Sequence, residues 1–163
     1  MKQTIVVLLI LLSILTFGCN SANEEENLLR DTAAYLKQLT PLVEIEYSVI
    51  SAYRAVSGKK YRGDRIFLNT LHKEIIPKYT SFRQAINLIK VDNPVLSNLH
   101  NSYKKGVDYQ LEGFKNSAEY LIRQNLELKK KSIQQLKIAE KLIGEWSREI
   151  TKIRATKTSP TNS

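Results

Sequence analysis

The two histidines of the chain, His72 and His100, stand among residues that exclude the common metal sites of helical proteins. A di-iron site in a helical bundle requires Glu-x-x-His pairs on two helices, but Asn69 and Ser97 stand three residues before the histidines. The sequence also lacks His-Glu-x-x-His, a phosphate-binding glycine loop and Gly-x-Ser-x-Gly. We therefore expect histidines at the boundary or surface of the fold, no metal, no cofactor and no catalytic residues, so that the protein is not an enzyme.

Glu44 and Glu46 are the carboxylates closest to a predicted apolar face, which makes them the candidates for acid–base chemistry. Side chains two residues apart on a helix point in different directions, so these two do not form an acid–base pair by themselves. We expect both to flank the core in salt bridges. Acids and bases four residues apart predict further ion pairs on solvated faces: Glu74 with Lys78, Glu119 with Arg123, and Glu127 with Lys131.

Cys19 is the only cysteine, so the chain has no intramolecular disulfide and no multi-cysteine metal site. It follows a cationic start at Lys2 and an apolar stretch that is unbroken from Ile5 to Leu12 and continues to Phe17. This stretch is shorter than the ~20 apolar residues of a membrane-spanning helix. It is typical of a secretory signal peptide. An ordinary signal peptide, or an N-terminal anchor helix with an incidental cysteine, would show the same pattern.

The residues before the cysteine, Leu15-Thr16-Phe17-Gly18, resemble the lipobox of bacterial lipoproteins. The small Gly18 matches that pattern, whereas Thr16 stands where leucine is commonest. In the family, a diacylglycerol is linked to the cysteine thiol and the chain is cut just before it. The resemblance implies a signal peptide over residues 1–18, a lipidated tether over 19–23, acylation such as palmitate at Cys19, and a place on the extracytoplasmic face of the bacterial cell membrane. Two acyl chains suffice for stable anchoring.

After the cysteine, apolar residues recur every three or four positions, and no stretch alternates for long enough to be a strand. The spacing predicts helices over roughly residues 24–56 and 64–90, and two more after Pro94. Four amphipathic segments of this length bury their apolar faces best in an antiparallel up-down four-helix bundle, expected over residues 24–155. The polar tail, residues 156–163, is expected to be disordered.

Several residues mark where these helices begin and end. Asn23 is a suitable N-cap, and Pro41 predicts either a kink or a fresh helix start. Pro77 predicts a bend. Asp92-Asn93-Pro94 predicts a stop and a restart.

The joint between the last two helices is less clearly marked, because no Gly or Pro interrupts it. The apolar stripe falters at Asn125 and Ser132, which favours a turn near Gln124–Glu127 over one continuous helix. Gly106 and Gly113 share one side of the third helix, where they permit close helix contact or a groove for a partner.

A second resemblance covers part of the third helix. Asn93-Pro94 followed by Leu99-His100, Tyr103, Gln110 and Phe114 resembles small helical surface lipoproteins of Gram-positive bacteria. No residue role follows from this resemblance.

The chain is basic, with 25 Lys and Arg against 16 Asp and Glu. Two groups of basic residues fall in connections that an up-down bundle places at the same end, far from the lipid. We call these seven residues the distal pole: Lys59, Lys60, Arg62, Arg65, Lys129, Lys130 and Lys131. Solvated loop lysines would give the same pattern, and the more specific interpretation is a landing site for an anionic partner.

These observations predict a membrane-anchored lipoprotein that acts as a non-catalytic binding module. The distal pole would bind an anionic polymer of the cell envelope or an acidic protein. Nucleic acid would satisfy the same electrostatics but is not expected outside the cytoplasm. The alternative is a structural or spacer lipoprotein of the envelope without a specific ligand. The sequence leaves the oligomeric state open.

Overall fold

The computed structural model describes the backbone of residues 2–156 and the side chains of residues 23–156. Every regular element of that backbone is helical, which confirms the all-α prediction. The elements are α1 (Lys2–Val56), a 3₁₀ turn (Gly58–Lys60), α2 (Asp64–Thr70), a π-helical turn (Leu71–Ile75), α3 (Ile76–Leu88), α4 (Pro94–Arg123) and α5 (Leu126–Ala155). Because α2, the π turn and α3 follow one another without a break, the chain forms four long helical segments packed as a helical bundle.

The first helix is longer than the sequence indicated. α1 is continuous from Lys2, so its backbone over 19–23 is helical, and Asn23 is not an N-cap. Pro41 lies inside α1 and does not start a new helix. Pro41 is exposed, so water can bond to the carbonyl that its missing N–H leaves without a partner.

The expected irregularity at Pro77 takes the form of a wider turn before it. The N–H of Ile76 bonds to the carbonyl of Leu71, five residues back, which is π-helical geometry. A proline ring in a regular helix clashes with the carbonyl four residues earlier, and a wider turn relieves that clash.

The two predicted boundaries of α4 are confirmed. Asn93 Oδ1 accepts hydrogen bonds from the N–H groups of Val95 at 3.0 Å and Leu96 at 3.4 Å, and Pro94 is the first helical residue. At the other end, Gln124 has φ 52° and breaks the helix. Asn125 then caps α5, so the third and fourth helical segments are separate.

The contact between α4 and α5 is close because two glycines of α4 have no side chains. A Cβ added to Gly106 would lie 2.8 Å from Ile143 Cγ1, and one added to Gly113 would lie 2.7 Å from Leu136. The side of α4 that carries these glycines is therefore occupied by α5, and it is not an open groove for a partner. Residues early in α4 meet residues late in α5.

α1 lies beside α3 and α5. Gln38 of α1 reaches the carbonyl of Lys90, just after α3, at 3.3 Å, and Lys78 of α3 reaches Ser48 of α1 at 3.4 Å. All of the buried residues in the described part lie between Thr32 and Ile150. A chain that begins at Asn20 retains the whole of this core, and we expect it to fold by itself.

Candidate functional site

The loop of the distal pole has a defined backbone. Gly58 has φ +56° and Gly63 has φ +107°, conformations that disfavour residues with side chains. The 3₁₀ turn between them is closed by a bond of 3.2 Å from the N–H of Tyr61 to the carbonyl of Gly58. The loop thus holds Lys59 and Lys60 on an ordered turn, and both are exposed.

Aromatic side chains connect this loop to the second group of basic residues, at the start of α5. The Phe67 ring lies 5.8 Å from that of Tyr53 and 6.1 Å from that of Tyr61. Phe67 also lines a small cavity of about 140 Å³ together with Tyr120 and Lys129. The loop after α1 and the first turns of α5 therefore lie at the same end of the molecule.

All seven residues of the distal pole are exposed. Lys130 forms an ion pair of 2.8 Å with Glu127, in place of the predicted pair between Glu127 and Lys131. Lys129 Nζ lies 5.3 Å from the centre of the Tyr120 ring. Within the described chain, the remaining five cations form no ion pair, so the pole presents positive charge to solvent: Lys59, Lys60, Arg62, Arg65 and Lys131.

The structure places three further residues near the distal pole: Ile122, Arg123 and Leu126. Arg123, the last residue of α4, forms an ion pair of 2.7 Å with Glu119. Beside it, Ile122 and Leu126 are 53% and 63% exposed. These residues flank the predicted turn near Gln124, so the sequence already indicates that they lie close to the distal pole. Tyr61 donates to Asp64, which raises the pKa of the hydroxyl to about 12, and this tyrosine adds no negative charge near neutral pH.

A second polar group lies inside the bundle. We call it the aromatic cluster: Tyr35, His100, Tyr103 and Trp146. The Tyr35 hydroxyl accepts from Trp146 Nε1 at 3.1 Å and is hydrogen-bonded to His100 Nδ1 at 3.1 Å. Tyr103 stacks on Trp146 with ring centres 4.3 Å apart. The cluster thus joins α1, α4 and α5 through hydrogen bonds and ring contacts.

His100 is 3% exposed, so the expectation of a boundary or surface histidine is wrong for this residue, while His72 is exposed as expected. Burial lowers the pKa of His100, the cation of Lys104 lowers it further, and the Ile86 carbonyl opposes both effects. Nε2 has no partner at hydrogen-bond geometry among the described residues. The sequence placed His100 beside an apolar stripe but could not show how far α1 and α5 cover it.

Glu46 also departs from its expected role. It is half-buried, and its Oε2 accepts from the Tyr103 hydroxyl at 3.2 Å, but it forms no salt bridge with the described residues. Burial raises the pKa of the Glu46 carboxyl, and the bond from Tyr103 partly opposes this. Glu44 is exposed. The two carboxylates are therefore in different environments and do not form a pair.

No group of three or more His, Cys, Asp or Glu among the described side chains could hold a metal ion. No helix in the same part of the chain has a stretch long and apolar enough to cross a membrane. The predicted lipidation site, Cys19, lies outside the described side chains, as do residues 157–163 of the predicted tail.

No protein-family model, curated protein or solved structure matches this chain.

Proposed function

We propose that this protein is a bacterial lipoprotein, anchored through lipid on Cys19 at the extracytoplasmic face of the cell membrane, and that its distal pole binds an anionic partner. The partner is an anionic envelope polymer or an acidic protein. The observation that carries the proposal is the exposure of seven cations at one end of the bundle, of which only Lys130 has an ion-pair partner in the described chain. Clustered cations that are not held in ion pairs raise the concentration and on-rate of anionic partners.

We further infer that the four helical segments run up and down, antiparallel in sequence order. Support comes from contacts whose partners run in opposite directions along the two segments. Gly106 meets Ile143 and Gly113 meets Leu136, and likewise Gln38 meets Lys90 and Ser48 meets Lys78. From Asn23 to Val56, α1 is about 50 Å long at 1.5 Å per residue. In this arrangement the anchor lies at one end and the distal pole at the other, directed away from the membrane.

The test is sedimentation of residues 20–163 with purified cell envelope at low and physiological salt. One variant replaces all seven cations of the distal pole by Gln. A matched control replaces seven exposed cations elsewhere: Lys37, Lys73, Lys90, Lys105, Lys137, Lys141 and Arg148. We expect binding that weakens steeply with salt, because exposed charges are screened over about 8–10 Å. It should be lost in the first variant and largely kept in the control.

Equal loss in both variants would show that net charge matters and the pole does not. Absence of binding by every form would overturn the proposal and favour the spacer alternative.

A further inference from the structure

A groove of about 410 Å³ opens between α1 and α5, with residues of α4 at its base. Its apolar surface comes from Ile50 and Tyr53 of α1, Phe114 of α4, and Leu136 and Ile143 of α5. Small-molecule sites have volumes of about 300–1,000 Å³ and combine apolar walls with a few polar groups. None of the seven cations of the distal pole lines this groove, so it is a separate feature.

The groove contains a carboxylate that lacks a counter-ion. Glu46 is half-buried in it, and its one hydrogen bond in the described chain, from Tyr103, occupies Oε2. Next to it, Gln110 Oε1 accepts from the Tyr79 hydroxyl at 2.8 Å, which leaves the amide N–H groups to meet a ligand. A carboxylate shielded from water without a paired cation is costly, and a bound cation removes that cost.

The charged residues at the edge of the groove do not alter its preference for a cationic ligand. Arg54 and Glu140 also line it, and both are exposed. Their opposite charges largely offset each other and are screened by solvent. The half-buried carboxylate of Glu46 therefore determines which charge the interior favours.

The absence of a side chain at Gly144 helps to keep the groove open. Glycine inside a helix is less stable than alanine there, so it needs a reason. Gly106 and Gly113 are required for the close contact with α5, but a Cβ added to Gly144 would meet only Arg148 Nη1, at 3.5 Å. Gly144 lines the groove, and a larger side chain at this position would occupy it.

We propose that this groove binds a small amphiphile with one ammonium group, the ammonium against Glu46 and the apolar body along Ile50, Tyr53 and Leu136. Trp146 reports on this site. It is the only tryptophan of the sequence, and it stacks on the Tyr103 ring whose hydroxyl bonds to Glu46. A cation that binds Glu46 competes for the carboxylate and perturbs this stacked pair.

The test is titration of residues 20–163 with n-octylamine, 1-octanol and octanoate at pH 7.5, each below its aggregation concentration. Trp146 fluorescence follows binding, and calorimetry gives the stoichiometry. We expect octylamine to bind in a 1:1 ratio, octanol about tenfold more weakly, and octanoate more weakly still, because a charge-assisted hydrogen bond is about twice as strong as a neutral one.

Three variants test the assignment. Glu46→Gln should weaken octylamine about tenfold and leave octanol unchanged. Gly144→Leu should abolish binding of both while the protein remains folded by circular dichroism, because the added side chain fills the groove. Glu140→Gln, at the exposed edge, should change octylamine affinity by less than about twofold.

Three results would overturn the proposal. One is the absence of octylamine binding to the wild-type chain. Another is equal affinity of the wild type and Glu46→Gln for octylamine. The third is unchanged binding by folded Gly144→Leu, which would place the probe elsewhere on the surface.

Discussion

At the scale of single residues, burial makes His100 and Glu46 respond to pH in opposite senses. It lowers the pKa of His100 below its usual 6.5, so the unfolded chain takes up a proton more readily than the folded chain. Stability from this residue is therefore present above pH 6.5 and is lost as the pH falls. Burial raises the pKa of Glu46 above its usual 4.5, so protonation of this group favours the folded chain as the pH falls.

His100→Gln isolates the histidine contribution, because the Gln amide has both an acceptor oxygen and N–H donors and can replace Nδ1 as the hydrogen-bond partner of the Tyr35 hydroxyl. We expect the wild type to lose more of its free energy of unfolding than His100→Gln between pH 7.5 and pH 5.5. Glu46 acts equally in both proteins and cancels in the difference. Urea unfolding followed by circular dichroism at the two pH values measures the free energy of unfolding of each protein.

His72→Gln is the control, because His72 is exposed. This variant should lose as much stability as the wild type over the same interval. If His100→Gln and His72→Gln behave alike, the buried histidine is not the source of the pH dependence.

At the scale of helices, spacing predicted the elements well but not which of two neighbouring apolar rows would be buried. Thr32 and Val43 are eleven residues, or about three helical turns, apart on α1, so helical spacing puts them on one face. Thr32 is nevertheless 1% exposed and Val43 is 56% exposed. Rows of residues three and four apart both match helical periodicity. The choice between them depends on where the neighbouring helices lie, which the sequence of one helix does not contain.

In the contact between α4 and α5, a polar residue is buried that the sequence of one helix would not identify as buried. Ser132 interrupts the apolar stripe, which by itself favours a turn nearby. In the structure Ser132 is 3% exposed, and its hydroxyl lies 2.6 Å from that of Ser117 and donates to the Gly113 carbonyl at 2.8 Å. A buried hydroxyl is tolerated when its hydrogen bonds are made. The turn was correctly placed, but Ser132 belongs to the helix contact.

Replacing two glycines of these helices by alanine should change the free energy of unfolding in opposite directions. Gly113→Ala should lower the free energy of unfolding by about 1–3 kcal/mol, because its Cβ collides with Leu136. Gly144→Ala should raise it by about 0.5–1 kcal/mol, because the site has room and alanine favours the helix. Urea unfolding of the two variants beside the wild type measures both effects. A loss of stability in Gly144→Ala would contradict the role given to the groove.

At the scale of the whole molecule, the proposed function places a lipid anchor at one end of the bundle and the distal pole at the other. The anchor is tested by Cys19→Ser, since serine has no thiol to acylate. We expect the variant to lose all incorporation of a palmitate analogue and to accumulate as the uncut precursor. Metabolic labelling and membrane fractionation in a bacterial host measure this. A Cys19→Ser protein that stays in the membrane at the processed size of the wild type would contradict the lipobox interpretation.

The sequence by itself determined the features that depend on near neighbours along the chain. Helical periodicity, the cap at Asn93 with Pro94, the turn near Gln124, and the two basic segments of the distal pole are all local patterns. Only the tertiary structure decided which local faces meet. It buried His100, left Glu46 without a counter-ion in a groove, and placed Phe67 of α2 near Lys129. Burial and electrostatic environment arise from residues distant in sequence, so the sequence of a single helix does not specify them.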